Sequence, residues 1–314
     1  MKTAIDWLSF RTKTDPFKTL EALQPIFGTA ADLVTFVPGA KGRDGWQRAG
    51  DVLMAGDIKL GWIDYGGESQ RGWVRVQLDG EGCQWVQDWQ AVEQLGEALQ
   101  EADIRRLDIA LTTYNDEVTD AMIVQAHSDG MFTTSGRPPH MKSVGSSDPR
   151  AGITRYIGTR EKSDKFLRCY QKGLELLQHI PAHLRASTTH IDGYDVLKTY
   201  RVELELKAVE KYIPWTAIGR RDHVFAGAYP FLAQLLPLAP HWKMLKLPDF
   251  KPKAAITSTL EHCRVAYGGA IRMAVDIYGP EKTLEMILGD KPSRALIDAG
   301  VLTISPSELT RSTY

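Results

Sequence analysis

YRVELELK, residues 200–207, alternates without a fault: Val202, Leu204 and Leu206 are apolar, while Arg201, Glu203, Glu205 and Lys207 carry charge. Side chains on a strand point alternately to opposite faces, so this segment reads as a strand with one apolar and one ionisable column. Two further stretches divide the same way. RRLDIALTT (105–113) sets Leu107, Ile109 and Leu111 against Arg106, Asp108 and Ala110. KFLRCYQK (165–172) sets Leu167 and Cys169 against Phe166, Arg168, Tyr170 and Lys172. Three such strands predict a sheet packed by its apolar side on a core, with ionisable groups of mixed sign on the other side. A solvated sheet face gives the same alternation. Composition argues for more, because Asp and Glu are poor strand formers. Glu203 and Glu205 share one face two residues apart, and they repel unless a cation or a basic side chain lies between them.

Working outward, AIDWLSF at the start reads as a strand, followed by a helix from Asp15 to Phe27 with Asp15 as cap and Pro16 in its first turn. LVTFV (33–37), DVLMAGD, IKLGWIDYGG and GWVRVQLDGEG read as strands separated by turn residues. QWVQDWQAVEQLGEALQEAD has helical spacing, with Trp85, Trp89, Val92 and Leu95 on one face. The Gly-, Ser- and Pro-rich stretch that follows Ala126 is expected to be an exposed loop. ITRYIGTR and KFLRCYQK then form two strands, GLELLQHI starts a helix, and KTYRVELELK is the last strand. Beyond Lys207 the β pattern stops and helical runs take over, interrupted by a Pro- and Lys-rich linker at 246–255. The expected architecture is α+β: an antiparallel-sheet body over 1–210, divisible into β-rich halves 1–103 and 104–210, then a mainly helical region 211–314.

The chain has 314 residues, enough for a large core, with 43% hydrophobic residues and a formal net charge of -1. That balance argues against a generally basic nucleic-acid binder. Residues 1–100 carry 10 Lys/Arg against 14 Asp/Glu, whereas Arg150–Lys172 carries seven basic residues and two acidic ones. Such a strip on a neutral body is an electrostatic footprint for phosphates, with Arg155, Arg160, Lys162 and Lys165 as the expected contacts. Cys83, Cys169 and Cys263 form no CxxC pair, which argues against a disulfide framework or a zinc finger and sets a reducing cytoplasm as the expected location. No apolar run approaches the roughly 18 residues that a membrane helix needs.

If Asp108 lies on a strand beside Glu203 and Glu205, three carboxylates converge in a manner suited to a hard divalent cation, Mg²⁺ or Mn²⁺. Tyr170 beside them suggests a chemistry. A phenol with a pKa of about 10 is a weak nucleophile unless positive charge or a base activates it. Arg168 and Lys172 flank it in the strand and would stabilise the phenolate and the charge developing on an attacked phosphate. The product would be a phosphotyrosyl link to DNA and a free 3′ hydroxyl, a nick that can be resealed.

RLDIAL, YIGTREKSDKFLRCYQKGLE and YRVELELK, in that order, resemble the replication initiation factors of rolling-circle plasmids and filamentous phages, the Rep_trans type, and IDWLSF resembles the first strand of the phage members. The resemblance covers most of residues 1–210. It implies a site-specific nicking and strand-transfer enzyme that cuts one origin strand and stays attached through tyrosine. Its nucleophile falls on Tyr170, with Tyr156 as the competitor, and its metal-binding acids on Asp108 and Glu203, with Glu205 as third. The further acid common a few residues after the first Asp is replaced here by Thr112 and Thr113, which leaves Asp116 as another candidate. The resemblance also implies origin DNA presented single-stranded or as a hairpin, a host helicase as partner, and a bacterial cytoplasm. Origin binding or homodimerisation is left for residues 215–314.

Neighbouring nicking chemistries are disfavoured: no two of the eight histidines form His-x-His, and none has an arginine three positions later. No GxxxxGK[ST] loop is present. Two rival readings stay open, a non-catalytic DNA-binding regulator and a metal nuclease that uses water.

Overall fold

In a computed structural model, the structure describes all residues except 40, 135, 146–151, 162, 210, 237–251 and 289–314. Ten strands form a single antiparallel sheet: β1 (Ala4–Thr12), β2 (Val34–Pro38), β3 (Arg48–Met54), β4 (Ile58–Tyr65), β5 (Val74–Leu78), β6 (Asp103–Thr113), β7 (Met141–Gly145), β8 (Ile153–Ile157), β9 (Lys165–Tyr170) and, after a hairpin of β10 (His190–Ile191) and β11 (Tyr194–Asp195), β12 (Tyr200–Lys207). Their order is β2-β3-β4-β5-β1-β6-β12-β9-β8-β7. The α+β antiparallel architecture expected from the alternation is therefore the observed one.

The sheet consists of two five-stranded halves of the same topology. Each begins with a strand, passes through helix, and runs a meander whose last strand returns beside the first: β5 beside β1, and β12 beside β6. The halves join where β1 pairs antiparallel with β6, Leu8 opposite Leu107 and Trp7 opposite Asp108. The two β-rich halves of the sequence are thus two copies of one strand order. The second differs by an insertion between β9 and β12, comprising helix Lys172–His179, a short turn of helix and the β10–β11 hairpin.

One core lies against the apolar columns. Leu107, Ile109 and Leu111 of β6, Val202, Leu204 and Leu206 of β12, and Leu167 and Cys169 of β9 are buried in the same cluster as Phe10, Phe27, Phe132 and Phe225. Burial of such side chains contributes about 1.5–3 kcal/mol each. The helices form where caps allow. Asp15 accepts from the amides of Phe17 and Lys18 ahead of helix Pro16–Leu23, and Asp88 accepts from Gln90 and Ala91 ahead of helix Trp89–Ala98. The segment read as one helix around Trp85 and Trp89 is two, Gly80–Trp85 and Trp89–Ala98. The break is held by the amides of Gln87 and Asp88, both donating to the carbonyl of Ile26. Val92 and Leu95 are buried as expected, whereas Trp85 is exposed.

The stretch after Ala126 is more ordered than the loop expected of it. Thr119 caps helix Asp120–Ser128, and Met141–Gly145 is edge strand β7, paired with β8. A strand of mostly exposed residues carries no burial pattern to read. The linker expected at 246–255 lies outside the described residues up to 251; from Pro252 it is helix.

The chain divides into two compact units, Met1–Leu247 and Pro248–Tyr314, rather than near residue 210. Ile213, Trp215, Ile218, Phe225, Phe231 and Leu232 belong to the sheet's own core, which is why the first unit continues past β12. In the second unit, helix Pro252–Tyr278 turns at Gly279, φ +79°, into helix Pro280–Ile287. Among the described residues no helix is long and apolar enough to cross a membrane.

Candidate active site

The strand register brings together the residues that the alternation put on one face. Glu205 of β12 lies opposite Asp108 of β6, and Glu203 lies opposite Ala110 on one side and Arg168 of β9 on the other. Arg201 is opposite Tyr170, Tyr170 is opposite Thr154 of β8, and Arg168 is opposite Tyr156. Asp108, Glu203, Glu205, Arg168, Tyr170 and Tyr156 therefore share the face away from the main core.

The carboxylates are not solvated. Asp108, Glu203 and Glu205 are 1%, 3% and 4% exposed. Charges so deeply buried require partners, and each has a guanidinium. Arg106 forks onto Asp108, Nε to Oδ1 at 2.8 Å and Nη2 to Oδ2 at 2.6 Å, and also reaches Glu205 at 3.0 Å. Arg168 Nη2 donates to both oxygens of Glu203 at 2.7 Å. Glu205 further holds Arg160, at 2.8 Å, and Lys207, at 2.9 Å. The repulsion between Glu203 and Glu205 is thus met by basic side chains.

Two carboxylates facing each other across the strand pair are pulled in opposite directions. Burial pushes Asp108 up to about 7 against the single guanidinium of Arg106, with Glu203 and Glu205 adding to the rise. Burial acts on Glu205 too, but its hydrogen bonds to Arg160 and Lys207 and the charge of Arg106 overrule it and hold the group below its ordinary value.

Burial likewise raises the Tyr170 phenol well above its ordinary value; Arg201 and Arg168 pull it down, and Glu203 pushes it up. The Arg168 guanidinium lies 5.2 Å from the centre of the Tyr170 ring and the Lys172 ammonium 6.0 Å. Lys172 itself pairs with Glu175. Tyr156 stacks on Phe166, 5.7 Å between centres at 19°.

Among the expected phosphate contacts the structure separates three cases. Arg160 is exposed and at the carboxylates. Arg155 is turned to the other face, forked onto Asp120 at 2.8 and 2.6 Å and bonded to Ser143, so it ties β8 to helix Asp120–Ser128 instead of facing solvent with Tyr156. Lys165 also falls on the apolar side, where its ammonium donates to the Ala228 carbonyl and lies 4.2 Å from the Tyr229 ring centre. Strand parity explains both, since each is an odd number of residues from Tyr156 or Tyr170. Lys162 lies outside the described residues. Asp116 is in the turn after β6, at φ +61°, and is not on the acidic face of the strands.

Two residues of the cluster escaped a reading directed at acids and tyrosines, Arg106 and Arg201. Arg201 is opposite Tyr170 and bonds Asp6 at 2.8 Å and Thr112 at 3.0 Å. Their signal was present, since both stand in the ionisable columns two residues from an acid. Among the described residues no three His, Cys, Asp or Glu side chains gather as a ready metal cluster.

No curated protein matches the chain. By fold it is similar to the rolling circle replication initiator protein from Geobacillus stearothermophilus, at a TM-score of 0.51 and 19% identity, over 77% of this chain and 99% of that one. In sequence, residues 102–237 match the replication initiation factors, the Rep_trans family. That segment holds β6, β9 and β12, the three acids and both tyrosines, and it is the part of the chain in which the three motifs place the family resemblance.

Proposed function

We propose that this protein initiates rolling-circle DNA replication by nicking and rejoining one origin strand through a covalent phosphotyrosine on Tyr170. The observation that carries the reading is the position of Tyr170. Its ring is half-buried, opposite Arg201, beside Arg168, and on the face of a buried acid cluster, within the segment that matches the replication initiation factors.

In the reaction the Tyr170 Oη–P bond forms as the P–O3′ bond breaks, and the leaving 3′ oxygen takes up a proton. Burial keeps the phenol protonated at rest. Its proton must leave as a phosphate approaches, and Glu203, diagonal to Tyr170 on β12, is the carboxylate the register places nearest. Arg168 and Arg201 then face both the phenolate and the charge that develops on phosphorus. Because the ester conserves the bond energy, the 3′ hydroxyl can later attack it and close the strand.

The oxygen donors Asp108, Glu203 and Glu205 suit Mg²⁺ or Mn²⁺ by chemistry, and they would hold it once Arg106 and Arg168 release them. Such a cation would neutralise charge on the phosphate. Origin DNA, single-stranded or extruded as a hairpin, is the proposed substrate, with a host helicase to unwind behind the nick.

The test incubates end-labelled single-stranded oligonucleotides spanning the origin of the protein's replicon with Mn²⁺ and wild type, Tyr170→Phe or Tyr156→Phe. A protein–DNA adduct lost only in Tyr170→Phe is expected. Loss only in Tyr156→Phe would move the nucleophile to β8. Cleavage without adduct would mean a water nuclease, and origin binding without cleavage a regulator.

A further inference from the structure

Tyr170 and Arg168 also line a cavity of about 260 Å³ whose other walls the chemistry above does not use. Its walls are Tyr156 and Arg168 of the sheet and Gln171, Glu175 and Gln178 of the segment that leaves β9 as helix Lys172–His179. The volume is below the range of about 300–1,000 Å³ that takes drug-sized ligands, so it suits one planar ring system and no more.

The lining is built for hydrogen bonding. Gln171 is fixed: its Oε1 accepts from the Ile153 amide at 2.8 Å, so its NH₂ is oriented as a donor. Gly152, at φ +72°, lets the chain pass this amide, since a Cβ there would come within 2.7 Å of the same Oε1. Gln178 uses its backbone carbonyl and its Oε1 on Arg185, which again leaves the amide NH₂ as donor. Glu175 supplies a carboxylate acceptor, turned toward Lys172. Tyr170 and Tyr156 line the cavity with aromatic planes, Tyr156 being held in place by its stack on Phe166.

We infer that this cavity receives one unpaired nucleobase next to the phosphate that Tyr170 attacks, and that Gln171 and Gln178 select which base it is. The inference rests on the nicking reading and deepens it by assigning a specificity site. An unstacked base offers its hydrogen-bonding edge to amide and carboxylate groups while a planar side chain covers its face. Two amide donors with one carboxylate acceptor complement a pyrimidine, whose open edge presents two acceptors and one donor, better than guanine, whose edge presents one acceptor and two donors. The placement also explains why the strand must be open at the cut, because a paired base cannot enter.

The experiment presents a single-stranded oligonucleotide library with a randomised segment to wild type, Gln178→Ala and Gln171→Ala in Mn²⁺, and sequences both fragments at the nick. Wild type is expected to show a preference of roughly tenfold for a pyrimidine over guanine at one position adjoining the nick, the size expected of a good side-chain–base pair. In Gln178→Ala, whose side chain is exposed and not needed for folding, that preference should fall below about twofold while preferences at other positions remain. An unchanged preference in both variants would overturn the inference. If no protein yields an adduct, the nicking reading fails. The same library selected by non-covalent binding to Tyr170→Phe, with and without Gln178→Ala, still decides the cavity: a position-specific preference lost with the amide supports it, and identical selections overturn it.

Discussion

Asp108 and Glu205 show how far identical chemistry diverges with the number of cations within reach. Asp108 has one partner and is pushed up to about 7 by burial; Glu205 has three and is held low. A carboxylate whose folded pKa exceeds its unfolded value binds its proton more tightly in the native state, so it costs stability as pH rises from the unfolded pKa to the folded one. The wild type should therefore lose stability attributable to Asp108 between about pH 4 and 7, at up to about 1.4 kcal/mol per pH unit. Glu205 acts oppositely: its contribution is present above its unfolded pKa and is lost as pH falls through its lowered folded pKa. Urea unfolding of wild type and Asp108→Asn at pH 5, 6, 7 and 8 checks the first statement; the difference between the two should change with pH in that direction, and a constant difference would contradict it. Glu203 offers a second test. Arg168→Ala strands a carboxylate that is 3% exposed and should cost about 3 kcal/mol, at the low end for a broken buried pair because Arg168 keeps contact with water. Arg168→Met combined with Glu203→Leu should recover most of that loss in the same denaturation, since apolar replacement of both members removes the uncompensated charge.

At the scale of elements, helix Lys172–His179 is positioned by Gly173. A Cβ at Gly173 would stand 2.0 Å from the Val196 carbonyl oxygen, and its amide donates to Thr199. Backbone cannot yield as a flexible side chain does, so Gly173→Ala should cost about 1–3 kcal/mol and displace Lys172 and Glu175 from Tyr170. Adduct formation should fall more steeply than far-UV circular dichroism changes, whereas Gly269→Ala, in helix Pro252–Tyr278 where a Cβ meets open space, should spare the adduct. That close approach was not legible in the sequence, where QKGLELL shows a glycine at a strand-to-helix junction and nothing of what it touches. The apolar and ionisable columns of β6, β9 and β12 were legible, because alternation is local. The register that sets Glu205 against Asp108 and Arg201 against Tyr170 was not, because it depends on residues 97 and 31 positions apart in the chain. The reversed orientation of Arg155 and Lys165 was available from parity alone, but charge density along the chain ignores which face a residue occupies. Strand β7 left no trace because only Met141, at its start, is partly buried and the other four residues are exposed.

Across the whole molecule the charge is nearly balanced, and the structure uses its cations internally. Arg106, Arg160, Arg168, Arg201 and Lys207 all rest on carboxylates. If all seven basic residues of Arg150–Lys172 met phosphates on a single strand, log K would fall with log salt at a slope of about -5, at roughly 0.7 per phosphate. With Arg155 and Lys165 facing away and Arg168 on Glu203, the slope for single-stranded oligonucleotides should be nearer about -3, and fluorescence anisotropy across a range of salt concentrations would measure it. The division of the chain makes a further demand. The core under the sheet is closed by residues beyond β12: Trp215 meets Phe10 edge-on at 5.2 Å and fills the space over Gly96, and Phe231 and Tyr229 pack on Phe132. A chain ending at Lys207 loses all of these, and large aromatic truncations alone cost about 3–5 kcal/mol each, against a typical total of about 5–15 kcal/mol. It should not fold, although every residue of the proposed nicking chemistry is retained. A chain ending at Leu247 keeps the whole first unit. It should unfold in one cooperative transition and still form the Tyr170 adduct with single-stranded origin oligonucleotides. If the 1–247 protein folds but forms no adduct, residues 248–314 contribute to the chemistry and the site on β9 is incomplete without them.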